Sequence, residues 1–181
     1  MKTIDIELAI LKDFNFKQNI IVTDVTEFSG LVNTESDVMI LSKSGYATSI
    51  EIKVSKADLK ADLKKRYMKR IYQSEHPDNP NSGIMSEHWR KYFFTDIKYR
   101  YYAVPEKLKE TALELIPDWC GLIVAENKHE LLGVKCKIVR EAPVLYPVKW
   151  SDEKIIHLLK LGCMRIYSLK QLIKNKGYGN N

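Results

Sequence analysis

The sequence predicts a mixed α/β domain whose central sheet carries helices on both faces. Segments of strand character alternate with segments of helical periodicity, which is typical of parallel strands joined by helices. One pair of strands is separated by only three residues, which requires antiparallel neighbours, so the sheet is mixed. The chain has 181 residues, of which 45% are hydrophobic and 29% charged. We therefore expect a single domain over 1–181, with a helical C-terminal extension from about residue 151.

The first part of the chain is expected to form a helix followed by three strands. Ile6, Ile10 and Leu11 would share one side of a helix over 4–14. Short runs rich in β-branched and apolar residues then predict strands at 20–22, 37–42 and 46–54.

The Lys-Ser-Gly sequence at 43–45 bears on how the second and third strands pair. A two-residue turn would direct Asp37 and Glu51 to opposite faces of the hairpin. A three-residue loop instead sets Asp37 directly opposite Glu51. Loops of this length favour a left-handed residue in the third position, where Gly45 stands, so the sequence favours the register that brings the two carboxylates together.

Glu51 and Lys53 lie two residues apart in a strand and share a face, so Asp37 joins them in one cluster. Two carboxylates about 5 Å apart repel each other unless a cation lies between them. Mg²⁺ prefers oxygen ligands and is typically held by one or two carboxylates, and the Ile52 carbonyl would add another oxygen. Spacing alone still favours a simpler alternative, in which these residues form an ordinary cross-strand ion pair.

A helix with a strongly basic surface is predicted to follow these strands. Ser55 stands at an N-cap position with Asp58 three residues later, and the helical pattern continues to about residue 73. Residues 53–70 contain eight Lys or Arg against two Asp. The basic side chains expected to contact phosphates are Lys56, Lys60, Lys64, Lys65 and Arg66.

This basic block, and a second one over 149–181, favour a polyanion partner, with a merely solvated lysine-rich face as the alternative. Asp58 and Asp62 share one face of the same helix. They either pair with its lysines or hold the helix against the strand residues, and the sequence does not decide between these two roles.

The second half of the chain continues the alternation after a predicted loop at 76–83 and a partly helical segment at 84–98. Leu108, Ala112 and Leu115 would share one face of a helix that begins at Pro105. A helix over 151–161 is expected to stop at Gly162, and a last helix to begin at Ser168. The remaining predicted strands are 99–104, 120–125 and 134–139.

Several classes are not expected. The apolar run at 121–125 is far shorter than the roughly 20 residues of a membrane span, and the acidic N-terminus does not resemble a signal peptide. Cys120, Cys136 and Cys163 form no C-x-x-C pair, so neither disulfides nor a zinc site are expected. We expect a cytoplasmic protein without a membrane partner.

Two stretches, ESDVMI at 35–40 and IEIKVSKADLKAD at 50–62, resemble the PD-(D/E)xK nuclease superfamily, although Ser36 stands in place of the motif's proline. The resemblance implies a restriction-endonuclease-like core. It implies that Asp37 and Glu51 bind metal, that Lys53 is catalytic, and that Glu7 is the acid of the first helix. Segments at 101–105, 119–124 and 140–143 are similar to MmcB-like DNA repair proteins.

The resemblance thus implies a Mg²⁺- or Mn²⁺-dependent nuclease that hydrolyses DNA phosphodiester bonds in DNA repair or in mobile-element or phage biology, and it admits a homodimer. Two alternatives stay open. One is a nucleic-acid-binding module that retains the nuclease fold without cutting, and the other is a protein-interaction domain with solvated lysine-rich helices.

Overall fold

The structure is a computed structural model, and it describes residues 1–26, 31–32, 35–63, 94–128 and 133–176. Within these ranges the elements, in chain order, are α1 (Thr3–Asp13), β1 (Ile20–Val25), β2 (Ser36–Leu41), β3 (Ala47–Ile52), α2 (Lys56–Leu63), β4 (Tyr99–Pro105), a 3₁₀ turn (Glu106–Leu108), α3 (Lys109–Leu115), β5 (Gly121–Asn127), β6 (Val134–Arg140) and α4 (Asp152–Asn175).

The strands form one sheet in the order β1-β2-β3-β4-β5-β6. β3, β4 and β5 are parallel, whereas the β1–β2, β2–β3 and β5–β6 pairs are antiparallel. Successive parallel strands that advance in one direction through right-handed crossovers carry their helices on one face. Leu59 of α2 and Ala112 of α3 accordingly belong to the same core cluster. The predicted mixed α/β class is therefore confirmed.

Each face of the sheet has its own apolar core. On the α1 face, Ile6 and Ile10 pack against strand residues that include Val38, Ile50 and Ala103. On the opposite face, which we call the α2 face, the cluster contains residues of three helices together with alternate strand residues: Leu59, Ala112, Leu158, Met39, Leu41, Tyr102, Val104, Leu122 and Val124. Because successive strand side chains point to opposite faces, the central strands are largely apolar on both sides, with a few buried polar residues on the α2 face.

The hairpin between β2 and β3 has the predicted three-residue loop. The Ser42 N–H donates to the Tyr46 carbonyl at 3.0 Å, and Val38 pairs with Ile50 in the ladder. Gly45 has a φ angle of +83°, in the left-handed region that favours glycine. The register that the sequence favours is therefore confirmed.

The beginning of α2 also follows the prediction, because the Asp58 N–H donates to the Ser55 hydroxyl at 3.1 Å. The predicted continuation to residue 73, the loop at 76–83 and most of the segment 84–98 lie outside the described residues. Pro105 ends β4 and is followed by the 3₁₀ turn and then α3. Leu108 and Ala112 are buried there as expected.

The prediction for the C-terminal helices is wrong in one respect. Gly162 does not stop a helix and Ser168 does not begin one, since α4 runs unbroken from Asp152 to Asn175. A Cβ atom added at Gly162 would lie 3.4 Å from Cγ2 of Val22, so the glycine is where α4 approaches β1. Packing on the sheet therefore overrides the intrinsic helix penalty of glycine, about 1 kcal/mol. No helix in the described part of the chain is long and apolar enough to cross a bilayer.

This packing predicts that Gly162→Ala raises the free energy of unfolding by about 0.5–1 kcal/mol, because alanine improves helix propensity and its methyl group meets Val22 at ordinary contact distance. Urea denaturation measures the change. Gly45→Ala is the matched control and should lower the same free energy by roughly 1 kcal/mol, since its φ angle is positive. A destabilised Gly162→Ala variant would show that Val22 leaves no room for a methyl group at this position.

Candidate functional site

The candidate site lies where β2 begins and β3 ends. The β2–β3 ladder keeps the predicted register as far as Val38 opposite Ile50, and Asp37 and Glu51 are the residues that follow this pair outward. The Ile52 N–H donates to Oδ2 of Asp37 at 2.6 Å, which fixes that carboxylate against the end of β3. The backbone of Lys53 continues the parallel ladder, because its N–H donates to the Ala103 carbonyl at 2.9 Å.

Glu51 is 3% exposed, and both of its carboxylate oxygens contact cations. Nη2 of Arg100 lies 3.3 Å from Oε1, and Nζ of Lys53 lies 3.1 Å from Oε2. Burial raises the pKa of Glu51 and the Arg100 charge lowers it, while Asp37 raises it further, and the net shift is upward. The two cations therefore offset only part of the cost of burying this carboxylate.

Lys53 links Glu51 to a second buried acid. Its ammonium lies 3.3 Å from Oδ1 of Asp62 on α2. Burial alone would lower the pKa of Lys53, but the carboxylates of Glu51, Asp62 and Asp37 raise it, and the net shift is upward. Lys53 is therefore a cation at neutral pH. It can offset negative charge or orient a water molecule, but it is not suited to act as a general base.

Asp62 is 2% exposed and accepts a hydrogen bond from the Tyr102 hydroxyl at 2.7 Å. The sequence leaves open whether Asp58 and Asp62 pair with helix lysines or hold α2 against the strand residues. For Asp62 this contact decides for the second role. Asp58, one turn earlier, is exposed. The inward side of α2 thus carries Leu59 and Asp62 towards the sheet.

Arg100 is the site residue that the sequence reasoning missed, together with its neighbour Tyr102. Arg100 is fully buried, and its Nη1 also donates to the Ser49 hydroxyl at 3.2 Å. A signal for it is present, since it is the one charged residue within a predicted apolar strand over 99–104. A charge at such a position requires a buried partner.

Glu7 lies on α1 close to the same edge of the sheet. Burial raises its pKa, and the nearby carboxylates of Asp24 and Asp37 raise it further. The β1–β2 register pairs Thr23 with Val38 and Val25 with Ser36, so Asp24 lies opposite Asp37. The structure therefore brings Glu7 into the electrostatic field of the predicted site residues.

Carboxylates outnumber cations around this site, and the donor set suits a hard divalent ion. The described charges here are Glu7, Asp24, Asp37, Glu51, Asp62, Lys53 and Arg100. In the described ranges, no three His, Cys, Asp or Glu residues are grouped as a ready-made metal cage. Mg²⁺, however, usually binds through only one or two carboxylates and retains waters. Asp37 and Glu51 therefore fit it by ligand type and by the excess negative charge around them.

The predicted phosphate-binding residues are only partly described. Lys56 and Lys60 are exposed on the outer side of α2, the helix whose inner side carries Asp62 to the site. Lys64, Lys65 and Arg66 lie outside the described residues. The two described lysines thus lie on the solvent side of a helix that contacts the candidate site.

The buried contact between Tyr102 and Asp62 predicts that Tyr102→Phe lowers the free energy of unfolding by about 2 kcal/mol, because the variant leaves a buried carboxylate short of one hydrogen bond. Chemical denaturation measures the loss. Tyr167→Phe is the control, because the Tyr167 hydroxyl accepts a hydrogen bond from the exposed Gln171 side chain, which water can replace. A loss below about 1 kcal/mol is expected for this variant. Equal losses would contradict the buried network.

Comparison with known proteins adds information on the fold alone. No family model matches the chain, and no curated protein matches it. Among solved structures, it is similar to SPO1766, a protein of unknown function from Silicibacter pomeroyi, with a TM-score of 0.56 and 19% sequence identity. The match covers 100% of this chain and 96% of that one.

Proposed function

We propose that the protein is a metal-dependent nuclease that hydrolyses DNA phosphodiester bonds on a restriction-endonuclease-like core. The observation that carries the proposal is the β2–β3 register, which brings Asp37 to the end of the ladder within electrostatic reach of Glu51, with Lys53 two residues further on. The order α1, β1, β2, β3, α2, β4 also matches the helix-strand-strand-strand-helix-strand order of that core. A role in DNA repair or in mobile-element or phage biology belongs to the same proposal.

Each residue of the site has a distinct task in this proposal. Asp37, Glu51 and the Ile52 carbonyl would hold Mg²⁺ or Mn²⁺, and Glu7 would add negative charge beside them. The ion, when bound, would lower the pKa of a water molecule and offset charge on the phosphate. Lys53, kept cationic by its acidic neighbours, would orient that water or neutralise the phosphate.

Arg100 and Asp62 are positioning residues in this scheme. Arg100 bonds both Glu51 and Ser49, and therefore restricts the Glu51 carboxylate to one orientation. Asp62 contacts the Lys53 ammonium as well as Glu51 does, and the Tyr102 hydroxyl bonds Asp62 in turn. A group preorganised in this way pays little reorganisation cost when charge develops on the substrate.

DNA is the proposed substrate because of where the basic residues lie. The exposed lysines Lys56 and Lys60 belong to a block of eight Lys or Arg over 53–70, and a second basic block covers 149–181. Basic groups of this kind supply affinity for a phosphate backbone without reading its sequence.

A nucleic-acid-binding module that does not cut is the second candidate, and one observation favours it. Both oxygens of Glu51 already contact Arg100 and Lys53, so a metal ion has to share this carboxylate with two cations. The two candidates differ in whether metal binds at Asp37 and whether Lys53 is needed for anything beyond DNA affinity.

The nuclease proposal predicts that Lys53→Met reduces cleavage about 10²–10³-fold in Mg²⁺ or Mn²⁺ while DNA binding changes little. Supercoiled, linear, single-stranded and branched DNA are the substrates, and circular dichroism verifies that each variant is folded. Lys43→Met is the control, because it removes one exposed charge from the hairpin loop at the other end of the same strands and should cleave at close to the parental rate. Cleavage by Lys53→Met at the parental rate would refute the catalytic assignment. If no form of the protein cuts any substrate, the binding module replaces the nuclease.

Metal binding is tested separately by thermal unfolding. Mn²⁺ at about ten times its dissociation constant should stabilise the folded state by about 1.4 kcal/mol. For a chain of this size, that corresponds to a rise in melting temperature of roughly 3–6 °C. Asp37→Asn should abolish the rise, whereas Asp58→Asn, at an exposed position on α2, should retain it. A rise that survives Asp37→Asn would assign the metal to another part of the chain.

A further inference from the structure

Helix α4 exposes an unusual amount of apolar surface. Leu158 is its buried residue, and contact with the body of the domain is otherwise limited to half-buried positions that end at Arg165. The guanidinium of Arg165 donates to the Asp24 carbonyl. The large apolar side chains of α4 that remain about half exposed or more are Ile156 (50%), Leu159 (45%), Met164 (65%), Ile166 (56%), Tyr167 (63%), Leu169 (58%), Leu172 (55%) and Ile173 (52%).

The last turns of α4 extend beyond the sheet. Residues 166–175 are all exposed, and at 1.5 Å per residue they extend about 15 Å. Helical segments in water derive most of their stability from packing an apolar face against other parts of the protein. Among the described residues, nothing buries the apolar side chains of this segment. Contiguous exposed apolar surface of this kind marks an interaction site more often than a solvated one.

The exposed side chains follow a regular repeat. Along one side of α4 the residues are spaced by three, four, three, four and three positions: Ile156, Leu159, Cys163, Ile166, Lys170 and Ile173. This is the spacing of the a and d positions of a coiled coil. A second helix can therefore pack along this stripe while the neighbouring side of α4 stays on β1.

We infer that this stripe is the seam of a homodimer in which α4 packs antiparallel against α4 of a second copy. The charges at the two ends of the helix favour this occupant. Asp152 and Glu153 lie in the first turn, and Lys174 lies in the last. When the two-fold axis passes between residues 164 and 165, Glu153 lies beside Lys174 of the partner subunit at each end of the seam.

The position of Lys170 favours the antiparallel arrangement over a parallel one. In a parallel pair, Lys170 would face the partner's Lys170 inside the seam. In the antiparallel pair the two lysines are separated by about 16 Å along the axis, which exceeds the Debye length of about 8 Å at physiological salt. Each lysine then lies near Leu159 of the partner subunit and extends its ammonium to solvent. The inference is independent of the proposed nuclease activity.

The oligomeric state of the full chain tests the inference, by sedimentation equilibrium at micromolar concentration. The parent should be dimeric, and Ile166→Lys should raise the dimer dissociation constant at least 100-fold, because it introduces a charge at the centre of the seam. Ser168→Lys adds the same charge on the far side of the same turn and should remain dimeric. Both positions are exposed in the subunit, so both variants should fold. A monomeric parent, or an Ile166→Lys variant that still dimerises like the parent, would overturn the inference. A monomeric protein whose α4 binds DNA or anionic vesicles would also overturn the inference.

Disulfide trapping tests the orientation. In a Cys163→Ser background, Glu153→Cys protein mixed with Lys174→Cys protein should form a crosslinked heterodimer under mild oxidation, because these positions adjoin across the antiparallel seam. Neither variant alone should crosslink, since like positions lie at opposite ends. Crosslinking of Glu153→Cys with itself would show a parallel pair and overturn the proposed arrangement.

Discussion

The register of the β2–β3 hairpin is the constraint on which the candidate site depends. Side chains alternate between faces, so a slip of one residue would transfer Asp37 to the face opposite Glu51. The loop at 43–45 prevents that slip, because Gly45 adopts the positive φ angle that a three-residue connection requires. The hydrogen bond from Ile52 to Asp37 then closes the open end of the hairpin. A turn at one end of two strands thereby determines the chemistry at the other end.

A buried layer of polar groups follows from this register. Ser49, Glu51 and Lys53 alternate along β3 on the α2 face, within an otherwise apolar core. Burying such charges is costly, and it is tolerated only when each has partners. The partners come from β4, which supplies Arg100 and Tyr102, and from α2, which supplies Asp62. Replacement by apolar residues would often stabilise a fold, so a network of this kind points to function more than to stability.

The sequence predicts the contacts between residues close together in the chain, but not the contacts that Arg100 makes with β3. Asp37, Glu51 and Lys53 belong to one hairpin, whose register follows from loop length and glycine position. Arg100 reaches Glu51 only through the parallel pairing of β3 with β4, and these strands are too far apart in the sequence for a hairpin loop to set their register in advance.

The end of α4 shows the same limit. Gly162 resembles a stop signal locally, but the helix continues because its neighbour is β1, which is more than 130 residues earlier in the chain. Local rules describe the helix penalty of glycine correctly. They do not contain the packing that outweighs it.

The charge balance of the site distinguishes what the basic and acidic residues contribute. Glu7, Asp24 and Asp37 would weaken the affinity of a surface that only bound phosphates, because their negative charges repel those of the nucleic acid. Burial is the largest cause of the raised pKa values of Glu7 and Glu51, and the neighbouring Asp37 carboxylate raises both further. The Arg100 and Lys53 charges lower the pKa of Glu51 but do not cancel the effect of burial. A divalent cation at Asp37 and Glu51 would reverse the sign of the local field, so that the same acids that repel a phosphate would hold the ion that attracts it.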